Sequence, residues 1–191
     1  MKNNRGFTLT ELLVTVAVLI VLLVVGVPEY RSMTENNRQV AAINTMVGDL
    51  NLARTEAVKR SRTVTLCGST DGATCDTANW ENGWIVFTDR NRNQDVDAGD
   101  GDILISRNTG LPAGLTLRGI KFANADYIQY HPSGSMLDSD DGTFVVCDSK
   151  PNNTTRARAV NVTTLGRVSV ARDPDNNGIR NDIQNASVTC P

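Results

Sequence analysis

Residues 6–28 read GFTLTELLVTVAVLIVLLVVGVP, an apolar run behind a short basic leader, interrupted by one carboxylate, Glu11. Phe7 to Val27 is twenty-one residues. As a helix rising about 1.5 Å per residue it spans about 31 Å, the thickness of a bilayer's hydrocarbon core. This stretch therefore predicts a single membrane-crossing helix. A secretory signal places its small cleavage-site residue after the apolar run, whereas Gly6 stands before it. A cut after Gly6 releases only MKNNRG and leaves the anchor on the protein. Glu11 is the second anomaly, because a charge deep in lipid costs about 2.5 kcal/mol or more and marks a functional position. The amine that such a cut frees on Phe7 supplies a counter-charge. In a bundle of these helices it can neutralise Glu11 of a neighbouring chain, an attraction that the low dielectric strengthens.

Gly6, Phe7, Thr8, Leu9 and Glu11, with the apolar run and Pro28, resemble the N-terminus of type IV pilins and of the pseudopilins of type II secretion. The resemblance implies cleavage after Gly6 by a prepilin peptidase, N-methylation of Phe7, and guidance of filament assembly by Glu11. It also implies a helix that bends or melts at Pro28 in the filament. The proline's missing N–H and its clash with the preceding turn are a physical reason for a kink there; two separate helices meeting at Pro28 are the alternative.

The rest of the chain fits one modest domain on this anchor. Val40, Ile43, Val47 and Leu50 recur at three and four residues, continued by Ala53 and Ala57, so a helix is expected to run to about Arg60 with this stripe on the domain. From Thr63 the period becomes alternating. Expected strands are 63–66, 84–88, 102–106, 115–118, 127–130, 143–146, 159–163, 167–171 and 187–190. The expected fold class is α+β, pilin-like: a long N-terminal helix, its first half in the membrane, packed on an antiparallel β-sheet domain. The expected divisions are a leader at 1–6, a transmembrane and filament-core helix at 7–28, its amphipathic continuation at 29–62 and a β-rich domain at 63–191. The stretch ARTEAVKR at 53–60 and the pattern Trp80-x-x-Gly83-Trp84-x-Val86-Phe87-x-Asp89 resemble the GspH/FimT-like (FimT/FimU) branch of minor pilins and pseudopilins.

The net charge of −2 becomes −4 once Lys2 and Arg5 leave with the leader, which does not call for nucleic acid. Those two cations keep the N-terminal end cytoplasmic, which places the domain across a bacterial inner membrane in the periplasm. Cysteines can pair there. Cys67, Cys75, Cys147 and Cys190 allow three connectivities; a bridge from Cys67 to Cys75 closes a short turn and leaves Cys147 with Cys190. Zinc is disfavoured, since there is no C-x-x-C and the one histidine, His131, precedes a proline. An enzyme is disfavoured too: no nucleophile motif is present and His131 has no evident partner. No cofactor is expected.

Two loops carry oxygen ligands. Asp89, Asn91, Asn93, Asp95, Asp97 and Asp100 fall on positions 1, 3, 5, 7, 9 and 12 of a calcium loop, but Gln94 replaces the glycine and Asp100 the bidentate glutamate. Asp173, Asp175, Asn177 and Gly178 begin a second such template, which ends in Gln184. Solvated loops without metal are the expectation. Charge is segregated: Lys150, Arg156, Arg158, Arg167 and Arg172 come with no acid between them. Val160, Val162, Val168 and Val170 read as the inward face of a hairpin turning at Leu165 and Gly166, with Arg167 outward. Arg156 and Arg158 share the valines' parity, so they are expected beyond the sheet or past a bulge. Some FimT-like pilins bind DNA through Gly-Arg-x-Arg near this point; Gly166-Arg167-Val168-Ser169 keeps only the first arginine.

The resemblance thus implies a structural subunit, a minor pilin of a type IV pilus in a tip or initiation complex. The alternatives are a type II secretion pseudopilin and, from another class, a DNA-binding pilin. Its implied partners are other minor and major pilins, the prepilin peptidase, an inner-membrane assembly platform, the lipid bilayer before assembly and, under the DNA reading, DNA.

Overall fold

The computed structural model describes residues 7–137, 141–148 and 154–190. One helix, α1 (Leu9–Arg60), contains Pro28 within it, so two helices do not meet at the proline. The chain divides into two compact units, Met1–Asn37 and Arg38–Pro191. In the first, every residue of α1 from Leu9 to Tyr30 is exposed, including the whole apolar run.

In the second unit α1 buries Gln39, Ala42, Ile43, Met46, Leu50, Ala53 and Ala57. Val40 and Val47 are only half-buried, on the flank of that stripe. Counting large aliphatics alone turns the expected face about one position too far. Three alanines bring the helix close to the sheets, and Met46 fills the centre.

Two four-stranded antiparallel sheets follow. The first holds β1 (Val64–Gly68), β2 (Trp84–Thr88), β3 (Leu104–Asn108) and β5 (Tyr127–Tyr130) in the order β3-β2-β1-β5. The second holds β4 (Leu115–Ile120), β6 (Gly142–Asp148), β7 (Arg158–Val162) and β8 (Val168–Val170) in the order β4-β6-β7-β8. Strand alternation sends one set of side chains inward: Val64, Leu66, Trp84, Val86, Leu117, Phe144, Val146, Val160 and Val162 join the helix stripe in one core.

The opposite faces are buried as well. Cys67, Ile85 and Phe87 lie under Cys75 and Val96, because residues 68–76 and 93–97 fold back over the first sheet and bond to each other through Cys75 N–H to Gln94 O and Val96 N–H to Ala73 O. Val145, Cys147, Ala157 and Ala159 lie under Ala171, Ile179 and Val188 of the C-terminal segment. Each cover is stapled to its sheet by a disulfide, Cys67–Cys75 (Cα–Cα 5.5 Å) and Cys147–Cys190 (Cα–Cα 5.8 Å). This double cover explains why β1, β2 and β6 are buried at every position although antiparallel strands commonly leave one face wet.

Several local expectations are corrected. Residues 187–190 are not a strand; Ser187 makes one bridge to Asn181, and Val188 packs as part of the cover. The third strand begins at Leu104 rather than at Asp102. Asp102 is held in the preceding loop, its carboxylate accepting from Arg90 N–H (3.0 Å) and Asp97 N–H (3.4 Å). Val170 is 60% exposed, because β8 is a three-residue edge strand that reaches past the core.

Candidate functional site

Gly6 and the rest of the leader lie outside the described residues, and Phe7 is exposed. At the start of α1 the pair Thr8 and Glu11 has the spacing of a capping box. Glu11 Oε2 accepts from Thr8 N–H (2.9 Å) and Thr8 O–H (2.8 Å), while Thr8 Oγ1 accepts from Glu11 N–H (3.2 Å). A cap of this kind is worth about 1 kcal/mol. Thr-x-x-Glu carried that signal in the sequence, and the reading that gave Glu11 solely to a neighbouring chain missed it. Both Thr8 bonds fall on Oε2, which leaves Oε1 to accept from a second donor such as an ammonium.

The two family-like stretches form the joint between helix and sheets. In 53–60, Ala53 and Ala57 enter the core, and Arg54 donates from Nε to Gly134 O (2.9 Å) and from Nη2 to Leu165 O (3.3 Å). Gly166 sits under that arginine with φ 72°, and a Cβ there would fall 2.1 Å from Gly134 O. The glycine before Arg167 is therefore required by packing. In 80–89, Trp80 donates to Ala125 O (2.8 Å) and meets Phe144 edge-on at 4.8 Å. Gly83 has φ 137°, and a Cβ there would stand 2.8 Å from the carbonyls of Ser69 and Asn108. Trp84 donates from Nε1 to Asp49 of α1 (2.8 Å), whose other oxygen accepts from Ser106 (3.2 Å).

Asp89 closes this stretch, its carboxylate bonded both to the sheet and to the loop that follows. Fully buried, it accepts from Thr65 O–H (2.8 Å), Gln129 Nε2 (2.9 Å) and the N–H groups of Asn93 (3.2 Å) and Gln94 (3.3 Å). The carboxylate at the first position of the calcium template thus has four donors within the protein. Among the described residues no group of three or more His, Cys, Asp or Glu side chains is placed to hold a metal ion. Instead Asn93 bonds Asp97 (2.7 Å), Asn91 bonds Asp100 (2.5 Å), and Asp95 N–H bonds Asn93 (3.1 Å). In the second loop Asp173 accepts from the N–H groups of Asn177 (3.2 Å) and Gly178 (2.9 Å), so it closes a turn.

Four of the five basic residues lie in the described parts of the chain. Lys150 lies outside the described residues. Arg156 ends a 3-10 turn and Arg158 begins β7, both half-buried, with no bulge separating Arg158 from the valines. Arg167 and Arg172 are exposed. They flank β8 at opposite ends, about 16 Å apart along an extended chain. The β7–β8 register places Arg172 beside Arg158, away from Arg167. His131 has a partner after all, its Nδ1 lying 3.0 Å from Ser133 Oγ in an exposed turn.

Comparisons with known proteins agree with this architecture. The profile of the family described as type II transport protein GspH matches residues 42–166, and that of the prokaryotic N-terminal methylation motif matches residues 1–27. A curated fimbrial protein of Pseudomonas aeruginosa is 24% identical over 119 residues, 62% of this chain and 77% of that protein. The crystal structure of the type IV minor pilin FimU of the same organism superposes with a TM-score of 0.58 at 18% identity, covering 73% of this chain and 92% of that one. The minor pseudopilin EpsH from the type II secretion system of Vibrio cholerae gives 0.47 at 13% identity, over 70% and 95%.

Proposed function

The chain belongs to the type II transport protein GspH family, and we propose that it is a minor pilin of a type IV pilus, acting in the tip or initiation complex. It is a structural subunit and no enzyme, and it assembles with other pilins. The observation that carries the proposal is the first half of α1. Its apolar surface is exposed along its whole length and begins at a carboxylate with one oxygen free for a donor. Such a surface needs lipid before assembly and like helices afterwards. In the membrane the domain faces the periplasm, and the prepilin peptidase cuts after Gly6 and methylates Phe7. An assembly platform then extracts the subunit. The likeness to the fimbrial protein favours a pilus over a type II secretion pseudopilus.

Intact-mass analysis of the membrane fraction tests the first step: loss of MKNNRG and a methyl group on Phe7 are expected. An uncut chain in cells with an active peptidase refutes the proposal. Complementation of a deletion strain separates the two systems, since a pilin restores piliation and a pseudopilin restores secretion. The separation of Arg167 from Arg172 counts against a single DNA-tracking patch.

A further inference from the structure

Beside β8 lies an open cleft of about 650 Å³ between the β7–β8 hairpin and the C-terminal cover, with Arg172, Arg180, Ser169, Val170, Asn181 and Asp182 among its lining residues. Three observations make it more than a surface dent. Neither Arg172 nor Arg180 has an ion-pair or hydrogen-bond partner for its side chain among the described residues. Asn181 is buried, and its Oδ1 has no donor among the described residues, although its Nδ2 donates to Asn185 O (3.1 Å). A buried acceptor left without a donor is uncommon in folded proteins. The one acid, Asp182, is engaged by its own turn, with Oδ1 accepting from Gln184 N–H (2.8 Å) and Ala186 N–H (2.9 Å).

The third observation is the wall. β8 is the last strand of its sheet. Ala171 N–H bonds Ala159 O and Thr163 N–H bonds Arg167 O, so the alternation of an antiparallel ladder turns the N–H and C=O of Val168 and Val170 away from β7. An edge of this kind accepts another strand. We propose that the cleft binds an extended acidic peptide segment, which pairs its backbone with the outer edge of β8 and sets a carboxylate on the Arg172 and Arg180 guanidiniums. That the segment belongs to a neighbouring subunit rests on the filament reading; the peptide chemistry does not. The residues that line the cleft include no aromatic ring on which a sugar or an unpaired base would stack.

The test uses full-length protein in detergent micelles. Its probe is a fluorescent, end-blocked heptapeptide alternating valine with aspartate, followed by anisotropy. Saturable binding is expected, about tenfold weaker with Arg172→Gln plus Arg180→Gln, which remove both charged forks. A peptide with asparagine in place of aspartate should bind as weakly. Val170→Pro removes an outward N–H without touching the β7 ladder and should also weaken binding, by a smaller factor. Retention of both disulfides by intact mass, with unchanged circular dichroism, controls for folding. Unchanged affinity in the arginine variant overturns the proposal, as does absence of saturation at millimolar peptide, or binding of duplex DNA in place of peptide. The titration does not involve Gly6 or Glu11, so its failure leaves the filament reading intact, and failure of that reading leaves the peptide site intact.

Discussion

The two disulfides close loops of different length, and the structure gives each a cover to hold. Replacing Cys147 and Cys190 by alanine opens a separation of 43 residues, whereas replacing Cys67 and Cys75 opens one of 8. The chain-entropy relation gives about 4 kcal/mol for the longer loop and about 2.5 kcal/mol for the shorter. Alanine avoids burying a new hydroxyl at Cys67 or Cys147, both of which are buried, so the packing losses are comparable. With a urea slope of about 2 kcal/mol per molar, the expected shifts in midpoint are about 2 M and about 1.2 M. The assay is urea unfolding of the full chain in micelles, read by tryptophan fluorescence, since Trp80 and Trp84 lie in the core. Hydrogen exchange adds a spatial reading: opening the longer bridge should expose amides at 180–188, and opening the shorter should expose those at 73–75 and 94–96. Equal shifts, or a larger one for the shorter loop, would refute the loop-length reasoning.

Glu11→Val should preserve membrane insertion, because it removes a charge from lipid, yet should deplete the protein from sheared filaments; wild-type levels there would contradict the assembly role. Trp84→Phe deletes the bond to Asp49 and should cost about 1–3 kcal/mol in urea unfolding, and an unchanged midpoint would show that the bond contributes nothing. Asp71 caps the Cys67–Cys75 loop; N–H bonds from Ala73 and Thr74 hold its carboxyl down at about 2. A depressed carboxyl stabilises above its unfolded value and loses that contribution as pH falls from about 4 toward about 2. Asp71→Asn should therefore be less stable than wild type at pH 6, with the gap narrowing at pH 2.5; a gap constant with pH would rule out the carboxylate as its source. Gly6→Glu should leave the leader on the protein, seen as an uncut mass.

The sequence by itself determined what depends on neighbours along the chain. A span of apolar residues long enough for a bilayer, a period that changes after Arg60, short strands between turns, and a cysteine pair across a tight loop are all local patterns. Trp84–Thr88 and Tyr127–Tyr130 coincide with their strands for that reason. Thr8-x-x-Glu11 was just as local and could have been read. Only the tertiary structure decided which way side chains turn once distant segments meet. Asp89 fits a calcium template as text, but Thr65 and Gln129 arrive from two other strands and draw it inward. Arg167 and Arg172 look clustered in a list of charges, but β8 is extended and holds them at opposite ends. The cover over the first sheet exists only because 68–76 and 93–97 fold back on it, and the cover over the second sheet and the cleft beside β8 only because 171–190 returns across that sheet. Such contacts leave no periodicity in the sequence, since each is set by where a loop lands rather than by the spacing of the residues within it.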